Sequence, residues 1–303
     1  MNVIEVANLG KQYGKRWSLR DASFAIAEGR VAAIVGPNGA GKTTLLKIVV
    51  GLAEPSEGSA TVLGGIKAGS DDALNRIAFV AQDAPLYRYL KVSDTITLTK
   101  NLNRSFDVIV TNKRLEKLGI GLDQRVGKLS GGQQSQLALA LALGRHPSLL
   151  ILDEPLARLD PLARREFMSV VMGEVANEGL SVVLSSHVVA ELERVADYLV
   201  MVNAGHIQAA SDIDALVQSH CLATGPADEA ETISRSFSVV ASSVTGRQAR
   251  LLVQTSDLGL LGRNWECTSV TLEEIILAYL ENPDDEPLAF DSLGATNATT
   301  VPL

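Results

Sequence analysis

A continuous apolar run, RVAAIV at residues 30–35, leads straight into GPNGAGKTT at 36–44 and then into the helix pattern TTLLKIVVGL. Nothing else in the chain limits its fold as tightly. A strand that is apolar at every position must be covered on both faces, the habit of a parallel sheet between helices. Glycines after such a strand let main-chain N–H groups turn inward, and a helix starting there adds its own unpaired N–H groups and the positive end of its dipole. Gly36, Gly41, Lys42 and Thr43 fill the spacing G-x-x-x-x-G-K-[ST]. The loop therefore predicts a nucleotide phosphate cradle, with Pro37, Asn38, Gly39 and Ala40 between the glycines, Lys42 on the β/γ oxygens and the Thr43 hydroxyl on magnesium.

The same strand, loop, helix grammar returns in SLLILDE at 148–154 and SVVLSSH at 181–187, so the organisation is α/β with a largely parallel sheet. Asp153 and Glu154 follow an apolar strand, where an acid pair stands beside the phosphate loop. Asp153 is expected to hold magnesium and Glu154 to polarise the attacking water. Other acid pairs, Asp71-Asp72 and Asp284-Asp285, lack that context and read as solvated charge. His187 ends a strand expected to lie beside LLILDE and is expected to face the γ-phosphate, whereas His146, His206 and His220 read as structural.

A second helix start has anion-binding character. In LSGGQQSQLALALAL at 129–143, Ser130 can cap the helix and donate its hydroxyl, and Gly131 and Gly132 open the backbone. One chain thus carries two phosphate-ready sites.

Around these lie less specific regions. Residues 3–8 and 17–26 alternate like strands of an antiparallel flap, with GKQYGKR as the turn. Residues 85–145 read as a mostly helical insertion, and Asp160, Pro161 and Gly179 mark the ends of a further helix. The divisions expected are a nucleotide-binding domain over 1–220, a small α+β unit over 221–282 reached through the linker TGPADEAE, and a disordered tail over 283–303. A net charge of −8 argues against nonspecific adhesion to nucleic acid. No apolar run approaches the 18 or so residues of a membrane span, and the N-terminal segment has no secretory pattern. Cys221 and Cys267 have no metal-type spacing and read as small hydrophobes or idle thiols.

Taken in order, GPNGAGKTT, Gln82 in FVAQD, LSGGQ, LLILDEP, the LD of Leu159-Asp160, and His187 resemble the nucleotide-binding subunit of ABC transporters over residues 1 to about 220. The resemblance implies an α/β P-loop NTPase core with an antiparallel β flap and a helical subdomain carrying LSGGQ, plus the small C-terminal α+β extension. It implies hydrolysis of ATP with magnesium by two subunits, identical or not, meeting head to tail, so that Ser130, Gly131, Gly132, Gln133 and Asp160 serve the ATP held by the other subunit. It assigns Tyr13 to adenine stacking, Thr44 to the phosphates, and Gln82 to magnesium and the attacking water. It also implies a separate transmembrane permease docking near Gln82 to Leu90, hence a place on the cytoplasmic face of the membrane, and no nucleic-acid partner. The compact C-terminal unit resembles subunits that serve exporters of drugs, lipids or peptides. The alternative is a soluble ABC ATPase of the iron-sulfur assembly type. Two departures stand out: Gln136 occupies a position usually basic, and Leu156, Ala157 and Arg158 replace small and polar residues, with Arg158 expected near the dimer interface.

Overall fold

The computed structural model describes residues 1–83, 85–157, 159–186, 188–255 and 264–281. Strands β1 (Asn2–Tyr13) and β2 (Arg16–Ala27) form a hairpin turning on Gly14 and Lys15, with Gly14 at φ 60°. The expected turn GKQYGKR is in fact mostly paired: Lys11 lies opposite Leu19, Gln12 opposite Trp17 and Tyr13 opposite Arg16. Strand β3 (Val31–Val35) is buried at every position and hands the chain to α1 (Lys42–Val49). β4 (Glu57–Val62) and β5 (Ile66–Lys67) return to the hairpin and complete an antiparallel sheet in the order β2-β1-β4-β5.

Helix α2 (Asp71–Arg76), capped by the Ser70 hydroxyl, precedes β6 (Ile77–Val80). The helical insertion is α3 (Val92–Leu102), α4 (Val108–Lys117) and α5 (Gly131–Leu143), which enclose their own apolar core around Val92, Ile96, Leu115 and Leu137. After it come β7 (Leu149–Leu152), α6 (Pro161–Glu178), β8 (Ser181–Ser186), the single turn α7 (Val189–Leu192), β9 (Tyr198–Asn203), β10 (His206–Asp212) and α8 (Ile213–Gln218).

The central sheet runs β10-β9-β3-β8-β7-β6, parallel except where β10 pairs with β9. Its strands divide their side chains between two cores. Val31, Ala33, Val35, Leu150, Leu152, Val182 and Leu184 face one apolar cluster, while Ala32, Ile34, Leu149, Ile151 and Val183 face the other. Each Val, Leu or Ile buried this way contributes about 1.5–3 kcal/mol. Double coverage is why these strands read as unbroken apolar runs.

The remaining chain forms β11 (His220–Pro226), α9 (Ala230–Ser236), β12 (Ser238–Thr245), β13 (Gln248–Gln254), β14 (Glu266–Thr268) and α10 (Leu272–Glu281), its sheet ordered β12-β13-β11-β14. TGPADEAE is not a linker. Thr224, Gly225 and Pro226 finish β11, and Ala230 and Glu231 begin α9. Gly225 is there because the Trp265 indole lies on it: a Cβ would come within 2.4 Å of the ring. Leu252, Val270, Ile275 and Tyr279 are buried in the same cluster as Val35 and Leu152, and Asn203 Nδ2 donates to Leu280 O at 3.0 Å. Cys221 and Cys267 are free thiols packed in one apolar cluster, as small hydrophobes should be, with their Sγ atoms 3.1 Å apart. Burial and the neighbouring thiol push Cys221 up to about 12. The expected tail at 283–303 lies outside the described residues.

Candidate nucleotide site

Parallel strands deliver their polar residues at one edge, the carboxyl ends, where α/β sheets bind ligands. Val35 precedes Gly36, Leu152 precedes Asp153, Ser186 precedes position 187, and Val80 lies two residues before Gln82. With β8 between β3 and β7, the acid pair stands one strand away from the phosphate loop.

The loop's shape depends on its glycines. Gly36 has φ +155° and a Cβ there would lie 2.0 Å from Val202 O; Gly41 has φ +113° with Ser18 O 2.6 Å from its Cβ position. Gly36→Ala is expected to cost about 1–3 kcal/mol by overpacking and to weaken nucleotide binding, as a melting curve and a fluorescent-nucleotide titration will read. Wild-type behaviour in both would show that the backbone of the loop is not held this tightly.

Inside the loop Lys42 is buried, its Nζ donating to Gly36 O (2.7 Å) and Pro37 O (3.2 Å) and lying 3.5 Å from Glu154 Oε1. Thr43 Oγ1 donates to Asp153 Oδ1 at 3.2 Å, and the Thr44 hydroxyl meets Ser18 Oγ at 2.9 Å. Asn38 and Gly39 are exposed at the loop's rim and Ala40 is buried beneath it.

Asp153 and Glu154 are 2% and 8% exposed. Ser185, in β8, joins them: its hydroxyl donates to Asp153 Oδ1 and accepts from the Glu154 N–H, both at 2.8 Å. Glu154 itself sits at φ 47°, a left-handed conformation that non-glycine residues adopt at a cost of order 1–3 kcal/mol and that concentrates at functional sites. Sequence reasoning missed Ser185 and Ser18. The only signal for Ser185 was a pair of hydroxyls closing an otherwise apolar strand.

Gln82 is exposed just beyond β6, whose Val80 O accepts from the Asp153 N–H at 2.9 Å. Tyr13 stands at the hairpin tip, 52% exposed, with Lys11 Nζ 5.0 Å from its ring centre. His187 and Arg158 lie outside the described residues. Of the other histidines, His220 is buried between Leu216 O (2.7 Å) and the Tyr279 hydroxyl (3.0 Å), and burial pulls it below the usual imidazole range.

The second helix start is elsewhere. Ser130 caps α5, its Oγ accepting from the Gln133 N–H at 3.1 Å while Gln133 Oε1 accepts from the Ser130 N–H at 3.0 Å. It opens on a cavity of about 350 Å³ bordered by Gly131, Gly132, Gln136, Asp160 and Glu166, with no residue of the phosphate loop in its wall. Asp160 spends Oδ1 on the N–H groups of Leu162 and Ala163, both at 3.0 Å. Gln136, where a basic residue is usual, is buried and its Nε2 has no hydrogen-bond partner. Leu156 packs into the core, which accounts for an apolar residue there.

Among the described residues no cluster of three or more His, Cys, Asp or Glu offers a closed metal cage. Magnesium does not need one. It is held by one or two protein oxygens, with waters and substrate phosphates completing the sphere, and the Thr43 hydroxyl beside the Asp153 carboxylate fits that requirement. No described helix is long and apolar enough to cross a membrane.

The ABC transporter family model matches residues 19–157. The lantibiotic transport ATP-binding protein SrtF of Streptococcus pyogenes is 36% identical over 208 residues, covering 68% of this chain and 89% of that protein. The molybdenum import ATP-binding protein ModC of Brucella melitensis biotype 1 is also 36% identical, over 221 residues, with 66% of this chain and 60% of that protein covered. Among solved structures, the dimeric structure of MJ0796, a bacterial ABC transporter cassette, superposes with a TM-score of 0.62 at 25% identity, over 69% of this chain and 98% of that one.

Proposed function

We propose that this chain, which belongs to the ABC transporter family and is an ATP-binding ATPase subunit of the kind that serves transporters, powers export through a separate permease by closing head to tail on a second ATPase subunit, identical or not. The observation that carries the shared site is the pair of anion-ready helix starts with no common cavity wall. A second subunit brings Ser130, Gly131, Gly132, Gln133 and Asp160 of one copy to the ATP held by residues 36–44 of the other, with Tyr13 stacked on its adenine. The orphan Gln136 amide supports this reading, because a buried donor without a partner costs about 1–3 kcal/mol and an incoming anion relieves it.

Within one subunit, Lys42 and the loop N–H groups hold the β and γ phosphates. Thr43, Asp153 and Gln82 are the residues that hold magnesium, which supplies charge neutralisation on the phosphate oxygens when bound. Glu154 accepts a proton from the attacking water through its carboxylate, Gln82 orients that water, and His187 faces the γ-phosphate. Ser185 is the positioning residue that fixes both acids. ATP-bound and open subunits favour different permease states, and that difference in affinity is what drives the permease.

The export direction rests on the compact C-terminal unit, which resembles that of subunits serving exporters. A drug, lipid or peptide is the cargo class proposed. Docking of the permease is assigned to Gln82–Leu90, where Tyr87 and Tyr89 are 56% and 71% exposed with ring centres 5.9 Å apart; neither is a core residue, and aromatic anchors are enriched at interfaces. The site thereby lies on the cytoplasmic face of the membrane. Affinity purification from detergent-solubilised membranes is expected to bring down a multi-span protein, and Tyr87→Asp/Tyr89→Asp to lose it. Recovery with a soluble iron-sulfur scaffold and no multi-span partner overturns the transport reading.

A further inference from the structure

A groove of about 630 Å³ lies between the outer face of α6 and the residues following α7. Its apolar lining includes Met168, Met172 and Val195, and Arg164, Arg165 and Arg194 stand along it. Arg164 donates through Nε to Leu159 O at 2.8 Å, while Arg165 and Arg194 are exposed. Methionines are unbranched and polarisable and mould to irregular apolar surfaces. Guanidinium forks match carboxylates two N–H groups at a time. The groove therefore suits an acidic chain with apolar residues set among its charges.

Such a stretch is present in this protein. Residues 283–293 read PDDEPLAFDSL, in which Asp284, Asp285, Glu286 and Asp291 flank Leu288, Phe290 and Leu293; residues 282–303 contain no lysine or arginine. Its point of departure is also close. Helix α10 ends at Glu281 and packs against α7. Ala278 and Tyr279 share a buried cluster with Met168 and Leu192, and Met172, Val195 and Leu280 pack on that cluster. Extended chain covers roughly 3.3 Å per residue, so residues 282–287 span up to about 20 Å.

We propose that residues 284–293 dock in this groove as an intramolecular strap, with the acidic residues on Arg165 and Arg194 and with Leu288 and Phe290 on the methionines. A short tether raises the effective concentration to the order of 1 mM, so an intrinsically weak contact is enough to keep the groove filled. Leu156 and Pro161 also border the groove, and the strap therefore rests against the segment that carries Asp160. The inference uses neither ATP nor a permease and stands apart from the proposed transport role.

Hydrogen–deuterium exchange on the full chain, at two protein concentrations, tests it. Amides of 288–293 should exchange at least about tenfold more slowly than in a free peptide of the same sequence. Arg165→Glu/Arg194→Glu should abolish that protection, and adding Asp284→Arg/Asp285→Arg should return part of it. Leu288→Asp/Phe290→Asp, which leaves the described core untouched, should also release the remaining amides. Free-peptide exchange in the wild type overturns the proposal, as does protection indifferent to both double variants. Protection that grows with protein concentration overturns it too, because the occupant is then a second copy.

Discussion

Glu154→Gln is expected to lower ATP turnover by about 10²–10⁴-fold, the usual worth of a positioned general base, while nucleotide binding persists. The substitution keeps the volume of the side chain and the main-chain N–H bond to Ser185 (2.8 Å). It removes only the ability of Oε to take a proton and the charge beside Lys42, 3.5 Å away. Stripping one partner from a buried ion pair is usually damaging. Here Lys42 retains Gly36 O and Pro37 O as acceptors, so the loop should hold its shape. Phosphate release measured beside a fluorescent-nucleotide titration separates the two effects. Turnover at the wild-type rate would take the role of base away from Glu154.

The second large effect comes from mixing two dead subunits. Lys42→Ala removes the cation of the phosphate loop, and Ser130→Arg places a long cation at the start of α5, so each variant alone should be inactive. Ser130→Arg also loses the cap on the Gln133 N–H, a cost of about 1 kcal/mol, small beside the stability of a domain. In a head-to-tail heterodimer both lesions fall on one site and the other is whole. Random pairing of equal amounts makes half the dimers mixed, each with one of its two sites intact, so about a quarter of wild-type activity should return in a symmetric closed dimer with independent sites. No recovery in a mixture whose subunits demonstrably exchange means that the sites are not shared.

What the sequence disclosed was local. The phosphate loop was legible because a fixed spacing of Gly36, Gly41, Lys42 and Thr43 has few other uses, and β3, β7 and β8 because two covered faces leave no polar position. The order of those strands was only half accessible: β8 was expected beside β7, but its pairing with β3 on the other side is a long-range choice that no window of residues records. Hydroxyls were the other blind spot. Ser185 holds the acid pair and Ser18 the loop's Thr44, yet a serine at the end of an apolar strand has no period to betray it. Helix α3 falls inside the expected helical insertion, although its composition argues less plainly for it. Its threonines favour strands on average, but Thr95, Thr97 and Thr99 each donate to a carbonyl four residues back and so fit a helix. TGPADEAE misled because glycine, proline and acidic residues usually punctuate, whereas Gly225 is required by the ring of Trp265.

The acid pair, the phosphate loop and helix α10 rest on one floor. Val35 and Leu152, the last side chains before Gly36 and Asp153, touch the same packed mass as Ile275 and Tyr279. Interiors of crystalline density pass a displacement on instead of absorbing it. A molecule that grips or tilts α10 therefore has a solid lever beneath the strand tips.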